Sequence, residues 1–124
     1  MMTSQLAMTM LNHATGVATW TPPAQWYVAY FLDGTEITGG SYARPPIDFA
    51  AAVALSETLT RSGSSNTQDF VNLPTTDVDE ARIVNTPSGT PTLTGWIIPY
   101  LRSFTAGEGN SHPVDGIAVG FTTS

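Results

Sequence analysis

The sequence predicts a mainly β fold, an antiparallel β-sandwich or flattened barrel with one short N-terminal helix. Short apolar stretches of strand type alternate along the chain with turn signals rich in Gly, Pro, Asn and Asp. The stretch Trp26–Leu32 is apolar on both of its alternating faces, which is typical of a strand buried on both sides. Only the segment that follows Ser4 has the three-to-four spacing of an amphipathic helix.

The predicted helix begins at Ser4, a favourable N-cap, and ends at Gly16. A helix of about ten residues is marginal alone, so we expect its apolar face to dock on the rest of the chain. That face is predicted to contain Leu6, Ala7, Met10, Leu11 and Ala14. Residues 1–16 are therefore expected to be an N-terminal arm of a single β-sandwich domain that spans residues 1–124.

The central hairpin follows from local signals. Pro22-Pro23 enforces an extended approach to the Trp26 strand, and Asp33-Gly34 suits a two-residue type I′ turn. Gly39-Gly40 allows a sharp re-entry after the second strand. Trp20, just before the prolines, is expected in the core or in an interface.

The later elements are predicted from shorter patterns. The region from Ile47 is a strand to about Ala51, or the alanine-rich run 50–55 starts a helix; the pattern leaves both open. Thr75–Glu80 is interpreted as an acidic turn. Pro99 indicates an edge strand, a bulge or a strand end. The strands predicted here are Phe70–Leu73, Ala81–Asn85, Leu93–Leu101 and Gly116–Thr122, the last with Ile117, Val119 and Phe121 on one face.

Composition excludes several classes of function. Ten acidic residues, four arginines and no lysine leave no basic cluster to neutralise phosphates, so we expect neither nucleic-acid binding nor a basic membrane-surface patch. We expect no membrane insertion and no secretory leader. The absence of cysteine excludes disulfides and thiolate sites. Charged residues are only 11% of the chain, which suits a surface covered by neighbouring proteins.

No catalytic or metal site is predicted. The histidines, His13 and His112, lie beside no nucleophile-elbow pattern, and both are interpreted as surface or contact residues, His112-Pro113 as a surface turn. The three acids Asp77, Asp79 and Glu80 are close together but lack the glycine and spacing of a calcium loop, so a solvated turn is preferred to a cation site. We expect no enzyme activity and no cofactor.

Aromatic residues offer a different kind of site. At strand spacing they are more typical of core or subunit interface than of an exposed platform for sugars. The residues concerned are Trp20, Trp26, Trp96, Tyr27, Tyr30, Tyr42 and Tyr100.

Four sequence blocks resemble the opening of small tailed-phage virion proteins of the tail-fibre-like or minor tail type. They are Leu11-Asn12-His13 with Gly16, Pro22-Pro23-Ala24, Tyr27-Val28-Ala29, and Gly39-Gly40-Ser41-Tyr42-Ala43-Arg44. The resemblance is best over residues 11–50. The chain departs from the family pattern at Asp33-Gly34, where a long loop is cut short, and at Ala81–Asn85, which replaces the family's central strand.

The resemblance implies a non-enzymatic virion structural protein, assembled as a homo-oligomer in the host cytoplasm and attached to the tail. Its expected partners are further copies, other virion proteins and a host surface glycan. A head decoration protein, which would grip the capsid with residues 1–15, is the first alternative. A free carbohydrate-binding module is the second.

The candidate interface or structural residues are Leu6, Met10, Leu11, Trp20, Tyr42, Arg44 and Trp96. Arg44 lies in the most specific of the four blocks. Its guanidinium is expected to pair with an acid such as Glu36 or to cap carbonyls at the hairpin base. An ordinary, partly exposed arginine is the alternative.

Overall fold

A computed structural model of the chain describes residues 1–122, with the side chains of Phe121 and Thr122 outside the described part. Strands make up 42% of the structure and helix 9%, and every strand pair is antiparallel. The predicted mainly β class with one N-terminal helix is confirmed. The elements are α1 (Ser4–Ala14), β1 (Trp26–Leu32), β2 (Thr35–Glu36), β3 (Pro46–Ile47), β4 (Val53–Ala54), β5 (Leu59–Gly63), β6 (Gln68–Phe70), β7 (Thr76–Val84), β8 (Thr94–Phe104), β9 (Asn110–His112) and β10 (Ala118–Thr122).

Strand β1 is an interior strand of a five-stranded sheet. The order is β2-β1-β7-β8, and β3 pairs with β1 on the same side as β2. Strand β7 runs along the other side of β1, with Tyr27 opposite Val84 and Phe31 opposite Glu80. The position of β1 inside the sheet explains why both of its faces are apolar.

The two faces of β1 pack against different clusters. Val28 and Tyr30 lie in the larger buried cluster, together with Phe70 of β6 and Val119 of β10. Ala29 and Phe31 point to the opposite face and contact Val84 in a smaller cluster. Because β6 pairs with β9, and β10 with β5 and β4, two small sheets cover the large sheet on its main core side.

The turn after β1 has the predicted form. Asp33 and Gly34 both have positive φ, 49° and 79°, as a type I′ turn requires. Phe31 and Leu32 then pair with Glu36 and Thr35 in β2. The hairpin is thus defined by local sequence.

Strand β7 corrects the interpretation of the acidic segment. Thr75–Glu80 is not a turn, and Ala81–Asn85 is not a separate strand, because one strand runs from Thr76 to Val84. Its inward residues Val78 and Ala81 are 1% and 2% exposed, so the acids occupy the other positions of a half-buried strand.

Other strand boundaries also differ from the predictions. Strand β6 ends at Phe70, because Asn72 adopts a left-handed φ of 46° before Leu73. The region from Ile47 forms neither a strand to Ala51 nor a helix; β3 ends at Ile47 and β4 holds Val53–Ala54.

Pro99 lies inside β8 rather than at its end. Strand β8 is at the edge of the large sheet, and Pro99 pairs with Glu80 beside a register shift. An edge position with a bulge is one of the predicted outcomes, since proline cannot donate to a second neighbour. For the final strand, the predicted facing of Phe121 falls outside the described side chains.

Helix α1 begins and ends close to the predicted residues. The N-cap is Thr3 rather than Ser4, and its Oγ1 accepts a hydrogen bond from the Leu6 amide at 3.2 Å. Gly16, with φ of 80°, follows the last turn. The predicted single apolar face is wrong, because Leu6 is 1% exposed and Leu11 is 62% exposed. At 100° per residue these two side chains point about 140° apart.

Candidate functional site

The first residues of the chain extend the edge of the large sheet. Met2 forms an antiparallel bridge with Trp96 of β8. The Thr3 amide donates to the Gly95 carbonyl, and the Ile97 amide donates to the Met1 carbonyl, both at 2.9 Å. This short pairing covers the outer edge of β8 over its first half and fixes where α1 starts.

Gln5 ties the first turn of α1 to the segment that enters β8. Its Nε2 donates to the Thr92 carbonyl at 2.8 Å, and its Oε1 accepts from the Thr94 amide at 3.2 Å. Leu6, the next residue of the same turn, packs against Gly95. A Cβ on Gly95 would lie 3.3 Å from Leu6 Cδ2 and 3.1 Å from the Trp26 ring, so this close contact needs a residue without a side chain.

Four of the predicted interface candidates come together under α1. Leu6, Met10, Trp20 and Trp96 line a groove of about 290 Å³ between the helix and the sheets. Trp96 meets Trp26 edge to face at 5.5 Å and donates from Nε1 to the Gly120 carbonyl at 3.3 Å. These residues make contacts within one chain, so they hold α1 in place.

The opposite side of α1 is apolar and faces outward. Met8 and Leu11 are 61% and 62% exposed, and Val17, just past the helix, is 75% exposed. Residues 1–32 contain no Asp, Glu, Lys or Arg, and the first charged residue is Asp33. We call Met8, Leu11, Ser4 and Thr15 the outer stripe of α1. An uncharged surface with exposed Met and Leu is the kind that partners cover.

A second candidate region lies around Arg44, between β2 and β3. Arg44 is 7% exposed and binds Glu36 through two parallel hydrogen bonds, Nε to Oε2 at 2.8 Å and Nη2 to Oε1 at 2.7 Å. It also donates to the carbonyls of Thr86 at 3.0 Å and Gly89 at 2.7 Å. Arg44 therefore pairs with Glu36, as expected, but the carbonyls that it binds belong to the loop between β7 and β8 and not to the hairpin base. The alternative of a partly exposed arginine is wrong.

Tyr42 completes the group that we call the Arg44 cluster: Glu36, Tyr42, Arg44, Thr86 and Gly89. The Tyr42 hydroxyl donates to Glu36 Oε2 at 2.7 Å and accepts from the Tyr30 amide at 3.0 Å. Burial acts to raise the pKa of Glu36, but the hydrogen bonds from Arg44 and Tyr42 outweigh it and leave that pKa below its usual value. The carboxylate thus stays ionised and holds Arg44, which in turn binds the β7–β8 loop.

His112 is not in a surface turn, which corrects the sequence interpretation. It ends β9, is 7% exposed, and its Nε2 lies 2.5 Å from the Tyr30 hydroxyl. Asn110 donates to the hydroxyls of Tyr30 at 2.8 Å and Tyr100 at 2.7 Å. Burial, helped by the charge of Arg102, lowers the pKa of His112. In the sequence, the only indication of this burial is that Asn110 and His112 are two residues apart, a spacing that puts both side chains on the same face of a strand.

Neither histidine has the partners of a catalytic site in the part of the chain that the structure covers. His112 contacts the Tyr30 hydroxyl and the rings of Tyr30, Phe70 and Tyr100. His13 accepts a hydrogen bond from the Trp20 amide at 3.1 Å through Nδ1, so it is a contact histidine, as interpreted.

The three acids of β7 have separate partners. Ser103 donates to Asp77 Oδ1 at 2.6 Å, and the Asp33 amide donates to Asp79 Oδ2 at 3.1 Å. Glu80 pairs with Arg82 at 2.8 Å. Within residues 1–122, no group of three or more His, Asp or Glu side chains is placed to hold a metal ion.

The described part of the chain contains no helix with the length and apolar character needed to cross a membrane.

The chain is thus an antiparallel β fold with one short N-terminal helix, and its sequence resembles small tailed-phage virion proteins. The model of one such family, Podophage GP4 fiber I protein gp80, matches residues 1–93. This match covers three quarters of the 124 residues, so the chain belongs to that family of phage fibre proteins. The family places it among virion components that contact other virion proteins. No curated protein matches the chain.

Proposed function

We propose that this chain is a non-enzymatic structural subunit of a podophage tail fibre, and that it acts by assembling with further copies and with other virion proteins. The family match over residues 1–93 carries the proposal. That range contains α1, the β1–β2 hairpin and the whole Arg44 cluster. The strand on which the N-terminal region docks, β8, begins at Thr94, directly after the matched segment.

Charge distribution supports an assembly role for the N-terminal region. The net charge of the chain is −6, and all of its acids and arginines lie at or after Asp33. Contact between subunits costs least where neither surface carries charge, since like charges repel and ionised groups lose water on burial. Residues 1–32 offer such a surface, with Met8 and Leu11 exposed on it.

We also propose that residues 1–124 form one domain, assembled into the particle in the host cytoplasm. One buried cluster contains residues as distant in sequence as Val28 and Val119, which supports a shared core. Minor tail protein is the broader term for the same role. A head decoration protein would have the same composition and would use the same N-terminal arm to grip the capsid.

The number of copies per purified particle, measured by mass spectrometry against the major capsid protein, tests this proposal. A few to a few dozen copies are expected for a fibre subunit. Hundreds would favour head decoration, and none would refute a virion role. Digestion needs a protease other than trypsin, because the chain has no lysine and Pro45 blocks cleavage after Arg44.

A neutral host glycan is a second candidate partner, favoured by one groove. Trp20 and Tyr27 line a space of about 540 Å³ together with Gln5, Gln25 and Asn85, and no charged residue lines it. Neutral sugars stack on aromatic rings and bond to amides and hydroxyls. The other aromatics do not form an exposed row, since Tyr30 is fully buried and the rest are half-buried. Adsorption of the purified chain to host cells, lost in Tyr27→Ala, would support this candidate.

A further inference from the structure

The outer stripe of α1 has the spacing of a helix-packing seam. Ser4, Met8, Leu11 and Thr15 follow one another at intervals of four, three and four residues. This is the a/d spacing by which one helix packs along another. Leu6 and Met10 occupy the opposite side, where Leu6 is buried and both line the groove between the helix and the sheets. Helix α1 is therefore apolar on two sides, and only one side is used within the chain.

Contacts with the rest of the chain keep α1 helical and oriented before a partner packs on its outer stripe. An isolated helix of 11 residues would be marginally stable. Here the Thr3 cap, the Gln5 hydrogen bonds and the buried Leu6 fix its start and its orientation. A partner that packs on Met8 and Leu11 need not order the helix first, which lowers the entropic cost of binding.

The charge of the chain indicates which partner packs on the outer stripe. Two copies, each with a net charge of −6, repel one another over most of their surfaces. The stripe has no Asp, Glu, Lys or Arg side chain, so two copies packed along it bring no charged side chains of the stripe together. We propose that a second copy of this chain packs on the outer stripe, helix against helix. This inference rests on the proposed fibre role only for its setting, because the association can be measured on the purified chain.

Sedimentation velocity of the full-length chain over a concentration series tests this contact. We expect an oligomer for the wild type and a monomer for the double variant Met8→Glu/Leu11→Glu. Val71→Glu/Leu101→Glu is the matched control, because it adds the same charge at side chains that are 63% and 83% exposed elsewhere. The control is expected to remain an oligomer, and circular dichroism should show the same fold for all three proteins.

Cysteine cross-linking tests the same contact without added charge. The chain has no cysteine, so Met8→Cys and Leu11→Cys each introduce a unique thiol. Oxidation of these chains, alone and mixed, should give covalent dimers, whereas Leu101→Cys should not.

Two results would overturn the inference. The first is a wild-type chain that is monomeric at every concentration measured. The second is an oligomer that survives Met8→Glu/Leu11→Glu and gives no stripe cross-link. If the chain is monomeric in solution but present in particles, the fibre role stands and the stripe contacts another virion protein. If the stripe cross-links but particles lack the chain, the fibre role fails alone.

Discussion

The Arg44 cluster and the N-terminal helix are both attached to the large sheet, but by different forces. Arg44 is buried and binds a carboxylate and two main-chain carbonyls with charge-assisted hydrogen bonds. Helix α1 is held by a short backbone pairing, one glutamine and one buried leucine, and it exposes an apolar face. The first region uses its binding groups internally, while the second leaves an apolar surface free. A fibre subunit needs both, a fixed scaffold and a surface for assembly.

The largest expected effect is at Arg44. Arg44→Ala leaves the Glu36 carboxylate and two carbonyls without their partner, which should lower the free energy of unfolding by about 3 kcal/mol. Arg61→Ala is the matched control, because Arg61 pairs with Asp115 in a more exposed setting, with side chains 36% and 61% exposed. It should cost about 1 kcal/mol or less. Urea unfolding measures both, and equal losses would remove the contrast between a buried cluster and a surface pair.

Leu6→Ala separates the two sides of α1. Removing a side chain that is 1% exposed should weaken helix docking by about 2 to 3 kcal/mol. Met8→Ala, on the 61% exposed side, should change stability by less than about 0.5 kcal/mol. Hydrogen exchange of the α1 amides measures the difference. Similar exchange in the two variants would mean that Leu6 does not hold the helix.

Gly95→Ala probes the same contact from the sheet. The new Cβ would lie 3.1 Å from the Trp26 ring and 3.3 Å from Leu6, so these side chains must shift, at a cost of about 1 kcal/mol. The Trp fluorescence spectrum should change with the thermal midpoint, since Trp26 moves. The Arg44 cluster should be unaffected, and a loss of more than about 3 kcal/mol would show that the two regions are coupled.

The smallest expected effect is a pH dependence from His112. Because burial lowers the pKa of His112, the unfolded chain binds a proton more readily than the folded one. Stability from this group is therefore complete above about pH 6.5 and is lost as the pH falls toward the lowered pKa of the folded state. Thermal midpoints between pH 7 and 5 should fall for the wild type and for His13→Gln, but less for His112→Gln. Parallel curves for all three would contradict this.

Local patterns predicted the elements that local forces determine. The β1 strand, its Asp33-Gly34 turn and the helix end at Gly16 each depend on a few adjacent residues. The sequence also suggests the pairing of Arg44 with Glu36, since the two residues are only eight positions apart.

Tertiary contacts decided the rest. Asp77, Asp79 and Glu80 are typical of a turn, yet they lie in one long strand, where Ser103, the Asp33 amide and Arg82 each bind one of the three carboxylates. His112 is buried because Tyr30, distant in sequence, supplies its partner. Gly95 leaves room for Leu6 to pack on the sheet, so Met8 and Leu11, on the other side of the helix, face outward. The sequence of the helix alone does not show which side docks.

Hydrogen exchange of α1 in purified particles, compared with the free chain, tests most directly whether the N-terminal region is the assembly surface. We expect the α1 amides to exchange more slowly in particles, while the amides around the Arg44 cluster exchange at the same rate in both. Equal exchange of α1 in the two states, or an absence of its peptides from the particle, would contradict an assembly role for this helix.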